Sequence, residues 1–84
     1  MRQSVNKEST VVIISSGKKS DTVVLGTGRY WEIAGELIWR GAERLQAMDN
    51  AKWCDRAPAG SEIEIAVKNG PAISLKIQRK EERV

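Results

Sequence analysis

Glu32 and Glu36 stand four residues apart, the spacing that stacks two carboxylates on one side of a helix, where they could share a cation or divide acid and base roles. Arg40 follows Glu36 at the same interval, in the favourable acid-before-base order, so an ion pair on a solvated helix face uses the same residues without any chemistry. Cys54 is the single cysteine, and the chain contains no histidine to draw off its proton. Ser15 and Ser16 lack a histidine base for the same reason. One cysteine without histidine also omits the usual zinc ligands and rules out an internal disulfide. Gly26-Thr27-Gly28 has the look of a phosphate-binding turn, but the third glycine of a dinucleotide motif would fall at Trp31, and no Walker-type motif occurs. It reads as a turn and helix cap. The chemistry-bearing residues therefore predict a protein that is not an enzyme, with no catalytic, metal or cofactor-binding residues.

The elements that would position these residues follow from hydrophobic period. Val11-Val12-Ile13-Ile14 and Thr22-Val23-Val24-Leu25 are β-branched runs separated by the turn cluster Gly17 to Asp21, which reads as a first hairpin. From Arg29 to about Asn50 the period becomes helical: at about 100° per residue Tyr30, Ala34, Leu37, Ile38, Gly41, Leu45 and Met48 share one side. Gly41 falls in the middle of that stripe, as expected where a helix approaches a sheet closely. Trp31, at the stripe margin, is expected in the core. Pro58-Ala59-Gly60 reads as a type I turn with proline second and glycine fourth. Ile63, Ile65 and Val67 then alternate with charged residues and face Ile73, Leu75 and Ile77. A three-residue Asn69-Gly70-Pro71 loop sets Val67 opposite Ile73, Ile65 opposite Leu75, Ile63 opposite Ile77 and Glu64 opposite Lys76.

The fold predicted is α+β: a ββαββ two-layer sandwich whose four-stranded, mainly antiparallel sheet carries one long helix on one face. Strand orders 2-1-3-4 and 1-2-4-3 both keep neighbours antiparallel. Residues 10–78 make a single domain, with residues 1–9 and the charged residues 79–84 as tails. No apolar run approaches a membrane span and no signal segment opens the chain, so a cytoplasmic protein without membrane contact is expected.

The formal charge is +3, but each tail carries +1, and residues 10–77 hold nine basic against eight acidic groups. The folded part has no concentrated basic stripe of the kind that grips a duplex. Lys18 and Lys19 at a hairpin tip, with Arg29, Arg79 and Lys80, remain the candidates for a phosphate contact and a small nucleic-acid-binding role.

Two features do not fit simple two-layer packing. Trp39 falls among the polar residues Glu32, Glu43 and Gln46 on the far side of the helix, and large exposed aromatics serve as interface anchors. The first hairpin is apolar on both faces, with Val11 and Ile13 opposed to Val12 and Ile14, and Val24 opposed to Val23 and Leu25. One helix layer covers one face, and the other should present an apolar patch to a protein partner or to a second copy in a homodimer. In size and layout the chain is similar to compact inhibitor proteins carried by phages and other mobile elements, some anti-CRISPR proteins among them. That likeness, which no sequence motif carries, implies a non-catalytic protein-binding module acting by steric occupation of a partner surface.

Overall fold

The computed structural model describes residues 9–25 and 30–80, with side chains described for 11–25 and 30–78. Gly26, Thr27, Gly28 and Arg29, together with residues 1–8 and 81–84, lie outside the described residues. The chain runs β1 (Ser9–Ser16), β2 (Lys19–Leu25), α1 (Tyr30–Trp39), α2 (Arg44–Arg56), β3 (Glu62–Ile65) and β4 (Ile73–Lys80). It is an α+β fold with a four-stranded antiparallel sheet and two helices.

The single long helix is the main correction. Gly41 adopts φ 110°, a left-handed value that costs glycine little and other residues much. There the Ala42 N–H reaches back to the Leu37 carbonyl and the Gly41 N–H to the Ile38 carbonyl, both at 2.9 Å. This pair of bonds is a Schellman motif, and buried Leu37 and Ala42 supply its apolar contact. Two residues later Glu43 opens α2 with a capping box, exchanging backbone-to-side-chain bonds with Gln46. Gly41 also stands close to the β3–β4 loop, since a Cβ built on it would lie 2.8 Å from Val67 Cγ1. Close approach is thus correct for this glycine, but to a loop and at a helix end rather than across a helix face.

The sheet order is β2-β1-β4-β3, neither of the two expected orders. The two eight-residue strands take the centre, pairing continuously from Ser9↔Lys80 to Ser16↔Ile73. This central pair extends into residues assigned by sequence to the tails. Placing β1 centrally suits its β-branched run, and the edges fall to short β3 and to β2, whose Lys19 and Asp21 discourage edge pairing. The first turn is tighter than expected, a two-residue Gly17-Lys18 connection, so β2 begins at Lys19.

In the second hairpin Ile65 pairs with Ile73, Ile63 with Leu75 and Glu62 with Lys76, two residues away from the expected register. A shift of two keeps every side chain on its expected face. The longer loop has a packing cause. Val67 folds in half-buried against the core beside Gly41, and Pro71 sits against the first hairpin tip, where a Cβ on Gly17 would lie 2.6 Å from Pro71 Cγ. Ile77 instead exchanges backbone bonds with Gly60 and Ser61. The preceding turn runs Pro58 to Ser61 with Gly60 third at φ 91°, the positive-φ position of a type II turn rather than the type I expected.

The core lies between the layers. Val12, Ile14 and Val24 join Ile73, Leu75 and Ile77 from the sheet, and Ile33, Leu37, Ala47 and Ala51 meet them from the helices. Among the described residues no helix is long and apolar enough to cross a membrane.

Candidate partner interface

The structure divides the sequence-predicted interface residues into three groups. Val12, Ile14 and Val24 are buried in the core and offer nothing to a partner. Their alternates Val11, Ile13, Val23 and Leu25 turn to the opposite face, as the pleat requires. Register places Val11 across from Leu25 and Ile13 across from Val23, so the four form one block. Val23 is 55% exposed and Leu25 59%, while Val11 and Ile13 on the inner strand are half-buried. The rest of that face is polar, because Gln78 pairs with Val11, Lys76 with Ile13, and Glu62 with Lys76. Trp39 is the third group: it stands in the helical layer, 60% exposed, away from the sheet patch.

Trp39 has company that sequence reasoning did not place there. Trp31 is 69% exposed rather than core, and Ile38 is exposed as well. On α1 the buried residues Ile33, Ala34 and Leu37 fix one side, and Trp31, Gly35, Ile38 and Trp39 occupy the other. Apart from the Glu32–Glu36 stripe the helix thus carries apolar residues on both its sides, and among the described residues only one of them is packed. Tyr30 meets Trp31 edge-on at 4.7 Å between ring centroids, and Lys19 Nζ lies 4.5 Å above the centre of the Trp39 ring. Leu45, expected on the core stripe, is 76% exposed on α2. Ending the helix at Gly41 would have rotated both stripes into place; the glycine and the Glu43/Gln46 pair carry that signal.

Beneath Trp39 lies a buried polar network. The Arg40 guanidinium donates from Nε to Glu36 Oε1 at 3.3 Å, from Nη1 to Ser16 Oγ at 2.8 Å, and from Nη2 to the Ser20 carbonyl at 2.7 Å and Thr22 Oγ1 at 3.0 Å. Thr22 Oγ1 in turn donates to Glu36 Oε1 at 3.0 Å. The Glu36–Arg40 pair expected from spacing forms, but Arg40 is buried rather than solvated. Its four acceptors come from α1, β1 and β2, and the Ser20 carbonyl belongs to an edge strand. One side chain thus ties the end of α1 to the first hairpin and occupies part of that edge.

At this end of the molecule the hairpin tip, the helix break and the β3–β4 loop enclose an open cleft of about 490 Å³, whose lining includes Lys19, Trp39, Gly41, Lys68 and Pro71. Lys18 and Lys19 line an adjoining hollow of about 550 Å³ with Ser16 and Arg40. Of the other predicted phosphate contacts, Arg29 and the side chains of Arg79 and Lys80 lie outside the described residues.

The remaining reactive groups have ordinary structural settings. Burial, with a smaller contribution from the Asp55 charge, pushes the Cys54 thiol up to about 11, so it is protonated at neutral pH. Glu36 is spent on Arg40 and Thr22. Among the described residues no three His, Cys, Asp or Glu side chains gather where they could hold a metal ion. No family model, curated protein sequence or solved structure matches this chain.

Proposed function

We propose that this chain is a non-catalytic protein-binding module whose partner, a foreign protein, is held on the outer face of the first hairpin and blocked there by steric occupation. The observation that carries the reading is the block Val11, Ile13, Val23 and Leu25, in register across two strands and outside the core. Val23 and Leu25 are more than half exposed although burying either would be favourable by about 1.5 to 3 kcal/mol. Lys76, Glu62 and Glu64 border the block with a charged half-sheet, giving the apolar centre and polar rim of a protein interface. A compact inhibitor needs nothing more than such a face and a rigid support.

The test is capture and crosslinking with the intact chain from its native host, set beside a Val23→Glu/Leu25→Glu variant. Both residues are exposed, so stability should change by no more than about 0.5 kcal/mol. A protein retained by the wild type and lost by the variant, at both low and high salt, supports the reading. Equal retention by both removes the sheet face from consideration. A second reading, nucleic-acid binding, draws on Lys18, Lys19 and Lys68 lining adjoining hollows beside Trp39. It would give binding that falls steeply with salt and disappears in Lys18→Ala/Lys19→Ala.

A further inference from the structure

We infer that the outward face of α1 is a homodimer surface, on which two copies cross antiparallel at Gly35 about a two-fold axis. Gly35 lies inside a helix, where glycine is unfavourable, and a Cβ built there would meet nothing within 4 Å. Among the described residues no packing contact calls for it. Its purpose lies outside: a missing side chain on an exposed helix lets a second helix come close.

The spacing about Gly35 identifies the second helix. Trp31 precedes it by four residues and Trp39 follows it by four, all on the exposed side. In an antiparallel crossing at Gly35 the Trp31 of each copy meets the Trp39 of the other, so the face is complementary to itself, as a two-fold interface requires. Charge agrees with this direction. Glu32 stands at the Trp31 end and Lys19 lies over Trp39 at the other, so the antiparallel pairing brings opposite charges together at both ends, whereas a parallel pairing brings like charges together. Tyr30 and Lys19 already hold the two indoles, which lowers the entropy lost on association.

The area sets the strength. Four indoles at roughly 150 Å² each, with the Ile38 pair, bury about 800 Å² in total, at the low end for specific association. A dimer dissociating at tens to hundreds of micromolar is expected, roughly the weak end for protein contacts. Such a dimer would leave both sheet patches facing outward, so two partner molecules could be held at once. The pairing itself does not depend on the partner reading above.

Sedimentation equilibrium between about 10 and 1,000 micromolar tests it directly, across the range in which so small an interface should dissociate. The wild type should pass from monomer toward dimer over this range. Gly35→Gln fills the notch with a better helix former, so it should keep or raise the melting temperature while weakening association at least about tenfold. Glu32→Lys and Lys19→Glu should each weaken association, and the double exchange should restore it. Val23→Glu/Leu25→Glu should leave association unchanged. A wild-type monomer at every concentration would overturn the inference. So would self-association indifferent to Gly35→Gln, charge exchange without restoration, or a dimer lost on altering Val23 and Leu25.

Discussion

Replacing Arg40 by alanine should destabilise the fold by about 3 kcal/mol, and the figure follows from where its hydrogen bonds go. The guanidinium is buried and donates to Glu36, Ser16, Ser20 and Thr22. Truncation leaves the Glu36 carboxylate without its cation and frees the Ser16 hydroxyl and Ser20 carbonyl of their donor. Breaking a buried ion pair from one side costs about 3 to 5 kcal/mol. The Glu36 side chain is 26% exposed and regains part of its hydration, which places the loss at the lower end. Against a total stability of roughly 4 to 12 kcal/mol for a chain of this size, the variant should be visibly marginal. Urea unfolding followed by far-ultraviolet circular dichroism, at low micromolar protein, measures it. The slope should stay constant while the midpoint falls. In Glu36→Met/Arg40→Met both charges are removed, so the double variant should lose less than the sum of the single ones, by about 1 to 2 kcal/mol. A loss below about 1 kcal/mol for Arg40→Ala, or strict additivity in the cycle, would show the network to be ornamental.

The two helix-layer glycines should respond oppositely to alanine. Gly41→Ala forces a side chain into φ 110° and against Val67, and should lower stability by about 1 to 3 kcal/mol. Gly35→Ala meets open space inside α1, so urea unfolding at low micromolar protein should show a gain of about 1 kcal/mol; a loss there would mean that an intrachain contact needs the glycine. Cys54 supplies a pH dependence of definite sign. Its folded-state value of about 11 lies above the ordinary 9.0, so its contribution is intact below pH 9 and is lost as pH rises toward 11. That loss amounts to roughly 3 kcal/mol at 1.36 kcal/mol per unit, and it should vanish from the pH profile of Cys54→Ala. At pH 8 a disulfide reagent should label Cys54 slowly in the native protein and at once in urea; immediate native labelling would contradict its burial.

How far the fold was legible depends on how local each signal is. Alternation in Glu62 to Ile65 and Ile73 to Ile77, and the opposed faces of Val11 to Ile14, depend on the period of a single strand, and these strands place their faces as read, whereas Val67, expected to continue the third strand, lies in the loop after it. Loop length is less local: moving the second register by two preserves every face, so the hydrophobic pattern could not detect it. The helix break was hidden by arithmetic. Residues 40–43 occupy about one turn, so the period carried Leu37 and Ile38 onto Leu45 and Met48 as though the helix were continuous. With the helix broken, Leu45 is exposed, and Trp31, at the margin of the continuous stripe, is exposed as well. Strand order and the burial of Arg40 depend on partners far along the chain, and composition near Arg40 says nothing of Ser16 or Ser20.

The missed arginine bears on both proposed surfaces. The sheet patch belongs to β1 and β2, the apolar helix face to α1, and each needs a fixed support if binding is not to cost ordering entropy. Arg40 joins these elements, bonding Ser16 at the end of β1, Ser20 and Thr22 on β2, and Glu36 on α1. The same residue sits immediately before the glycine that ends α1, so the length of the exposed helix face and its attachment to the hairpin are set at one place. Trp39 lies under Lys19, while Arg40, its N–H still bonded to the Glu36 carbonyl, turns inward. The apolar core packs the two layers together, and Arg40 adds a polar tie between α1 and the first hairpin, the two elements that carry the apolar surfaces.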